Sequence, residues 1–120
     1  RFDALASAGT LQVQQCGSLA SLSFPALAAL GTTSLNLSSN PALTTVSLPN
    51  WTPRNGQQVA LVDNILNDAT VNHILARCVA NAGYVSGPVT ILGAGTAAPS
   101  GQGLIDKATL TGRGCTVTTN

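Results

Sequence analysis

Leu35-Asn36-Leu37-Ser38-Ser39-Asn40 is the stretch on which the fold of this chain turns. The same frame stands 24 residues earlier as Leu11-Gln12-Val13-Gln14-Gln15-Cys16 and 24 residues later as Val59-Ala60-Leu61-Val62-Asp63-Asn64. Its shape is an apolar residue, a spacer, a second apolar residue, two further residues, then Asn or Cys. A fixed period in this range marks a solenoid, in which each repeat buries its apolar side only against its neighbours.

The first two copies extend beyond the hexapeptide. Leu19, Leu22, Phe24 and Pro25 map at the same spacing onto Leu43, Val46, Leu48 and Pro49. Each copy therefore holds two apolar-x-apolar segments, and alternation with period two is the strand signal. Turns are expected at Gly17, Gly31 and Asn40-Pro41. The sixth position has a physical task, because the chain must turn there with its backbone groups still bonded. An Asn amide can bond its own and neighbouring backbone, so Asn40 and Asn64 are expected to form a ladder from copy to copy. Cys16 and the terminal Asn120 fill the equivalent slots, Cys16 as a small group that tolerates burial.

At this point the chain resembles the leucine-rich-repeat family, whose pattern Leu-x-x-Leu-x-Leu-x-x-Asn/Cys-x-Leu is matched by Leu35, Leu37, Asn40 and Leu43. The Leu that this pattern places three residues before Leu35 is Thr32 here. The resemblance implies a leucine-rich-repeat-like solenoid with parallel strands.

From Asn67 the apolar period changes from two to 3.6: Val71, Ile74, Leu75, Cys78, Val79 and Ala82 form one helical stripe. Asn72, His73, Arg77 and Asn81 lie on the other side, where His73 reads as solvent-facing. Asn67 or Asp68 can cap this helix, and Gly83 can supply a left-handed stop. Val89-Thr90-Ile91 returns as a strand. A Gly/Ala/Pro loop leads to Ser100, a cap for a helix over 101–112 with Leu104, Ile105 and Ala108 aligned and Leu110 off the face. Cys115-Thr116-Val117-Thr118-Thr119-Asn120 then repeats the opening hexapeptide frame.

Assembled, the fold class is α/β: about five parallel strands in chain order, near residues 11, 35, 59, 89 and 115, with two helices in the C-terminal half. We expect a single domain with β-type repeats over 1–58, and βα-type repeats with a cap over 59–120. Leu11, Val13, Leu35, Leu37, Val59 and Leu61 should point inward. Gln12, Asn36, Ala60, Thr90 and Thr116 should form the exposed sheet face. The chain is expected to be the C-terminal part of a longer protein, with Phe2 to Ala8 ending a preceding element.

The stretch from Ala98 to Gly103, with that from Gly114 to Asn120, resembles the C-terminal cap of leucine-rich-repeat domains in phage virion and bacterial surface proteins. Those relatives commonly carry Trp where this chain has Cys115. The resemblance implies attachment and recognition, with a virion, extracellular or cell-surface location. Its expected partners are other protein subunits of a virion or surface assembly, or a host receptor or glycan.

Composition narrows the function. With 8% charged residues and a net charge of +1, the chain lacks the clustered Lys and Arg that phosphate contacts need, so no nucleic-acid partner is expected. No apolar run approaches the roughly 20 residues that span a bilayer, so no membrane insertion is expected. Catalysis finds little support. There is one His, no Glu, and the acids Asp3, Asp63, Asp68 and Asp106 are scattered. Asp63 with Asp68 lacks the dense oxygen ligands of a calcium site, and the three Cys lack zinc-ligand spacing. Hence no metal or cofactor is expected. Gly93-Ala94-Gly95-Thr96 lacks the third Gly and immediate helix of a dinucleotide loop, and reads as a loop. Cys78 and Cys115 read as free thiols or as a disulfide across the terminal copy.

The candidate contact residues are Trp51 and Arg54, in a loop rich in breakers, and the small polar residues Gln12, Gln14, Asn36 and Ser38 of the sheet face. For Trp51 itself the favoured reading is a lid folded over the edge of the core, with surface contact as the alternative. Asn36-Leu37-Ser38 and Asn50-Trp51-Thr52 fit the glycosylation acceptor pattern, which chains rich in Asn, Ser and Thr meet by coincidence. The function these features imply is a non-enzymatic structural and recognition module. It would be a phage virion component (decoration, fibre or tail), or alternatively a bacterial surface domain.

Overall fold

The computed structural model describes residues 3–31 and 34–120. Phe2 and Thr32 lie outside the described residues. In chain order the elements are β1 (Ser7–Ala8), β2 (Leu11–Gln12), β3 (Ser21–Ser23), β4 (Ala29–Leu30), β5 (Ser34–Asn36), β6 (Thr45–Ser47) and β7 (Gln58–Val62). They continue with α1 (Asp68–Ala80), β8 (Pro88–Leu92), α2 (Gln102–Gly112) and β9 (Thr116–Thr119).

Strands β2, β5, β7, β8 and β9 make one five-stranded sheet, parallel throughout and in chain order. Leu11 stands opposite Leu35 and Leu35 opposite Val59, so the spacing of 24 is also the pairing register. A second parallel pair joins β3 to β6 at the same offset, with Leu22 opposite Val46. A third joins β1 to β4, which the repeat pattern did not indicate.

The register holds because alternation leaves one face of every strand to be buried, and a slip by one residue would turn that face to water. Leu35, Leu37, Val59, Leu61, Val89 and Ile91 are fully buried in a single core. Val13 is only half-buried, because among the described residues β2 is the sheet's first strand and no turn packs over it. Beyond β7 the offsets grow, with Val59 opposite Val89 and Val89 opposite Val117, because α1 and α2 occupy the connections.

Several expectations are corrected here. Thr118, not Thr116, aligns with Gln12, Asn36, Ala60 and Thr90, and Cys115 precedes β9. The terminal hexapeptide therefore sits two residues out of frame with the opening one, because pairing with β8 sets its register. Gly83 is not a left-handed stop. Helix α1 ends at Asn81 in extended backbone. Asn67 does cap that helix, its side chain accepting the Thr70 N–H at 2.9 Å. Helix α2 is capped by Gly101 at φ 50, with no side-chain bond. Ser100 instead accepts the Asn72 amide at 3.0 Å through its hydroxyl.

Helix α2 also faces opposite to the expected direction. Gly103, Asp106 and Leu110 are buried, while Leu104 and Ile105 are 55% and 58% exposed. The cause is Gly103, where a Cβ would lie 2.0 Å from the Asn72 side chain. The close contact that this glycine permits fixes which side of α2 meets α1.

The amide ladder exists. Asn40 accepts the Cys16 N–H at 3.0 Å and donates to the carbonyls of Val13 (2.9 Å), Leu37 (3.1 Å) and Ser38 (3.2 Å). Asn64 repeats the pattern, accepting the Asn40 N–H at 3.0 Å and donating to Leu37 at 2.8 Å. Directly before each rung stands a residue in the left-handed region: Gln15, Ser39 and Asp63, with φ of 59°, 61° and 59°. Side chains with a Cβ adopt that region at a cost, so the ladder must over-determine it.

Replacing Asn40 by Ala would remove the side-chain partner of the Val13 and Ser38 carbonyls and of the Cys16 N–H, while the Leu37 carbonyl keeps the Asn64 amide. We expect a loss of about 3 kcal/mol, since each buried unsatisfied group costs about 1–3 kcal/mol. Chemical denaturation should show the midpoint falling at an unchanged slope.

Candidate functional site

Two regions were expected to carry recognition, the outer face of the main sheet and the loop around Trp51. On the sheet face, Gln12 and Gln14 are exposed and bond each other through their side-chain amides. Asn36 is half-buried, and its Oδ1 accepts the Ser38 N–H at 3.1 Å. Ser38 is buried at 8% exposure, and its hydroxyl accepts the Val62 N–H at 3.1 Å. Ser38 is thus part of the turn and not an open contact. Ala60, expected to be exposed, is buried at 6%, because a side chain this small lies below the rim of its neighbours Asn36 and Thr90.

The loop between β6 and β7 is tied down at almost every residue. Trp51 is fully buried, which fits a lid on the core and corrects the exposed-contact reading. Its indole N–H finds no partner among the described residues. Its carbonyl accepts the Arg77 Nε–H at 2.9 Å. Arg54 is exposed, and its Nη1 donates to the Gly31 carbonyl at 3.1 Å. The Asn50 amide donates to Pro25 at 2.7 Å, and the Asn55 Oδ1 accepts the N–H groups of Val85 and Ser86. Trp51 and Arg54 therefore do not form one exposed patch. Trp51 points in, and Arg54 lies along the neighbouring turn.

Sequence reasoning missed what holds that loop. His73, Arg77 and Asn81 are half-buried, not solvent-facing. They lie four residues apart, so α1 presents them as one row. His73 Nε2 accepts the Leu48 N–H at 2.9 Å, Arg77 bonds Trp51, and the Asn81 amide donates to Pro53 at 2.7 Å. Three successive turns of helix thereby satisfy three backbone groups of the loop. The i, i+4, i+8 spacing of polar residues was the available signal.

The ladder candidates divide. Asn40 and Asn64 are buried rungs, whereas Cys16 is exposed and contributes only its backbone N–H. Among the described residues no turn covers Cys16 on its outer side, and the burial expected of it does not occur. Asn120 occupies no rung. It closes the loop after β8, donating to the carbonyls of Gly93 and Thr96 at 2.6 Å each. That loop is built tightly: a Cβ on Gly93 would lie 2.6 Å from the Asn64 carbonyl, and the Thr96 hydroxyl donates to the same carbonyl at 2.8 Å.

Cys16, Cys78 and Cys115 are free thiols. Burial, reinforced by Cys115, pushes the Cys78 thiol up to about 12, so it stays protonated and poorly nucleophilic at neutral pH. Burial first, then Cys78 and Cys115, likewise raises Tyr84 above its ordinary range. Its hydroxyl donates to the Gln57 carbonyl at 2.6 Å. Among the described residues no three His, Cys, Asp or Glu side chains gather as a metal site, and no helix is long and apolar enough to cross a membrane. Comparison with family models, curated proteins and solved structures finds no match for this chain.

Trp51→Ala should lower stability by about 4 kcal/mol, the range for emptying a large aromatic site. Thermal or chemical unfolding of the purified variant checks this. A change in binding at unchanged stability would return Trp51 to the surface.

His73 gives a pH dependence of definite sign. Burial, and secondarily the Arg77 charge, hold its pKa below the ordinary 6.5, so the folded chain binds fewer protons than the unfolded chain between the two values. Stability from this group is therefore complete above about pH 6.5, declines as pH falls, and levels off below the folded pKa. In His73→Gln, whose amide oxygen can still accept the Leu48 N–H, that part of the melting-temperature profile should be absent. Subtracting the two profiles between pH 4 and 8, on the order of the imidazole range, isolates the effect.

Proposed function

We propose that this chain is a non-enzymatic scaffold and recognition module, a short leucine-rich-repeat-like solenoid serving a phage virion in a decoration, fibre or tail assembly. One observation carries the scaffold reading. The Asn40–Asn64 ladder and the left-handed residues before it recur at the pairing register itself, so each turn is defined by its contact with the next. A chain built in this way extends by adding turns, and what it offers outside is surface.

That surface supports weak polar recognition. Gln12, Gln14 and the exposed part of Asn36 present amides without an aromatic anchor, and strong single contacts usually depend on Trp, Tyr or Arg. Binding through such a face gains from repetition, because linked copies convert later contacts into intramolecular ones. A particle that displays many copies supplies that repetition. The virion setting rests on the resemblance of the C-terminal stretch, and the partners it implies are neighbouring protein subunits.

Protein identification in gradient-purified particles tests the setting. The chain should copurify with virions at constant stoichiometry, whereas recovery from cell-wall fractions alone would refute it. The combined variant Gln12→Ala, Gln14→Ala tests the surface at its two exposed amides. Stability should stay within about 0.5 kcal/mol, as for ordinary surface changes, while adsorption or assembly is lost. Unchanged adsorption and assembly would exclude this face.

A further inference from the structure

We infer that the fold predisposes Asn55 to self-modification, the backbone nitrogen of Gly56 attacking its side-chain amide to give aspartate or isoaspartate through a succinimide. Asn55-Gly56 is the one Asn-Gly pair in the chain. It forms the turn of the loop between β6 and β7, and both residues are exposed.

Three features of this turn prepare the reaction. The nucleophile is open: among the described residues no acceptor takes the Gly56 N–H, and nothing stands within 4 Å of the place a Cβ on Gly56 would occupy. The electrophile is polarised. Asn55 Oδ1 accepts the Val85 N–H at 3.0 Å, the Ser86 N–H at 3.1 Å and the Ser86 hydroxyl at 3.2 Å. Two backbone N–H groups converging on one carbonyl oxygen stabilise the oxyanion that forms when a nucleophile adds to its carbon. The leaving group is unheld, since no described residue bonds Nδ2 of Asn55. The other exposed Asn of this loop lacks these features. Asn50 Nδ2 donates to the Pro25 carbonyl at 2.7 Å, and the Trp51 N–H that follows it is engaged by the Leu48 carbonyl at 3.3 Å.

In the first step Gly56 N gives its proton to solvent base and forms the bond to Cγ, so that the charge comes to rest on Oδ1. The oxyanion then collapses, the Cγ–Nδ2 bond breaks, and the nitrogen leaves as ammonia with a proton returned from solvent. Water adds to either ring carbonyl and opens the succinimide; overall, one water is consumed and one ammonia released. Opening to aspartate leaves a carboxylate on the same two N–H groups, which hold it by stronger, charge-assisted bonds. Opening to isoaspartate routes the backbone through the former side chain and lengthens the loop by one carbon, which strains its tie to Val85 and Ser86. Either product adds a negative charge. Five basic residues then face five acidic ones instead of four, and the net charge falls from +1 to zero. In a chain with 8% charged residues, that loss favours association.

Incubation of the purified full chain at mildly alkaline pH tests this, read by peptide mass mapping and by labelling with an isoaspartyl methyltransferase. The mass gain of amide to acid should fall on the peptide that holds Asn55, and its rate should rise with pH because the attacking nitrogen must lose a proton. The folded chain should react several-fold faster than the same chain in urea, since only the fold supplies the Val85 and Ser86 donors. Ser86→Ala removes the hydroxyl donor at an exposed position, so it should slow the folded reaction and leave the rate in urea unchanged. Should that variant lower the melting temperature, the wild-type comparison decides alone. A folded chain that reacts no faster than the unfolded one overturns the inference, because the bonds to Oδ1 would then lock the amide away from Gly56. Modification of Asn50 at an equal rate overturns it as well.

Discussion

Two buried carboxamides, those of Asn40 and Asn64, hold the turn that every other feature needs. Each must satisfy the backbone of its own turn and of the one before it, because a buried peptide group left without a partner costs as much as several ordinary hydrogen bonds contribute. Asn40 does this with one acceptor and two donor hydrogens shared among three carbonyls. Asp and Ser have no amide hydrogens to donate, and Gln would place its amide one bond further out. The residue before each of these positions lies in the left-handed region, as Gln15 does before Cys16, so the strand leaves every turn in one direction.

The helical half obeys the same demand with different groups. Where β3 and β6 bond each other directly, α1 meets the outer connection through side chains, and His73, Arg77 and Asn81 take up what a further strand would otherwise have bonded. This makes α1 a clamp on the loop that carries Trp51. It also places one titratable group under the loop, where proton uptake would turn an acceptor of the Leu48 N–H into a second donor. Among the described residues the indole N–H of Trp51 is the buried side-chain polar group left without a partner. Its large apolar area offsets the cost of that one unbonded donor.

A surface with so little charge and so few projecting aromatics suits repetition better than single high-affinity contacts. The buried Cys78 thiol and the Tyr84 phenol are held in their protonated forms by burial. Chemistry of the nucleophilic kind is thus disfavoured at Cys78 by burial.

The hexapeptide Leu35-Asn36-Leu37-Ser38-Ser39-Asn40 by itself determined the parallel sheet, its chain order, the inward columns and the role of Asn40, because strand alternation and amide bonding are local properties that a repeat makes visible. The stripe from Val71 to Cys78 and its Asn67 cap were equally local. What only the tertiary structure decided were matters of neighbourhood. The register of β9 depends on β8 and not on its own frame, so a repeated motif placed Thr116 two residues out. The orientation of α2 depends on Gly103 meeting Asn72, a contact no periodicity encodes. Trp51 lies inward and Ser38 is closed off because of what stands beside them in the next turn. Whether a side chain is free to bind is set by its neighbours in space, and a single sequence read along its length cannot supply them.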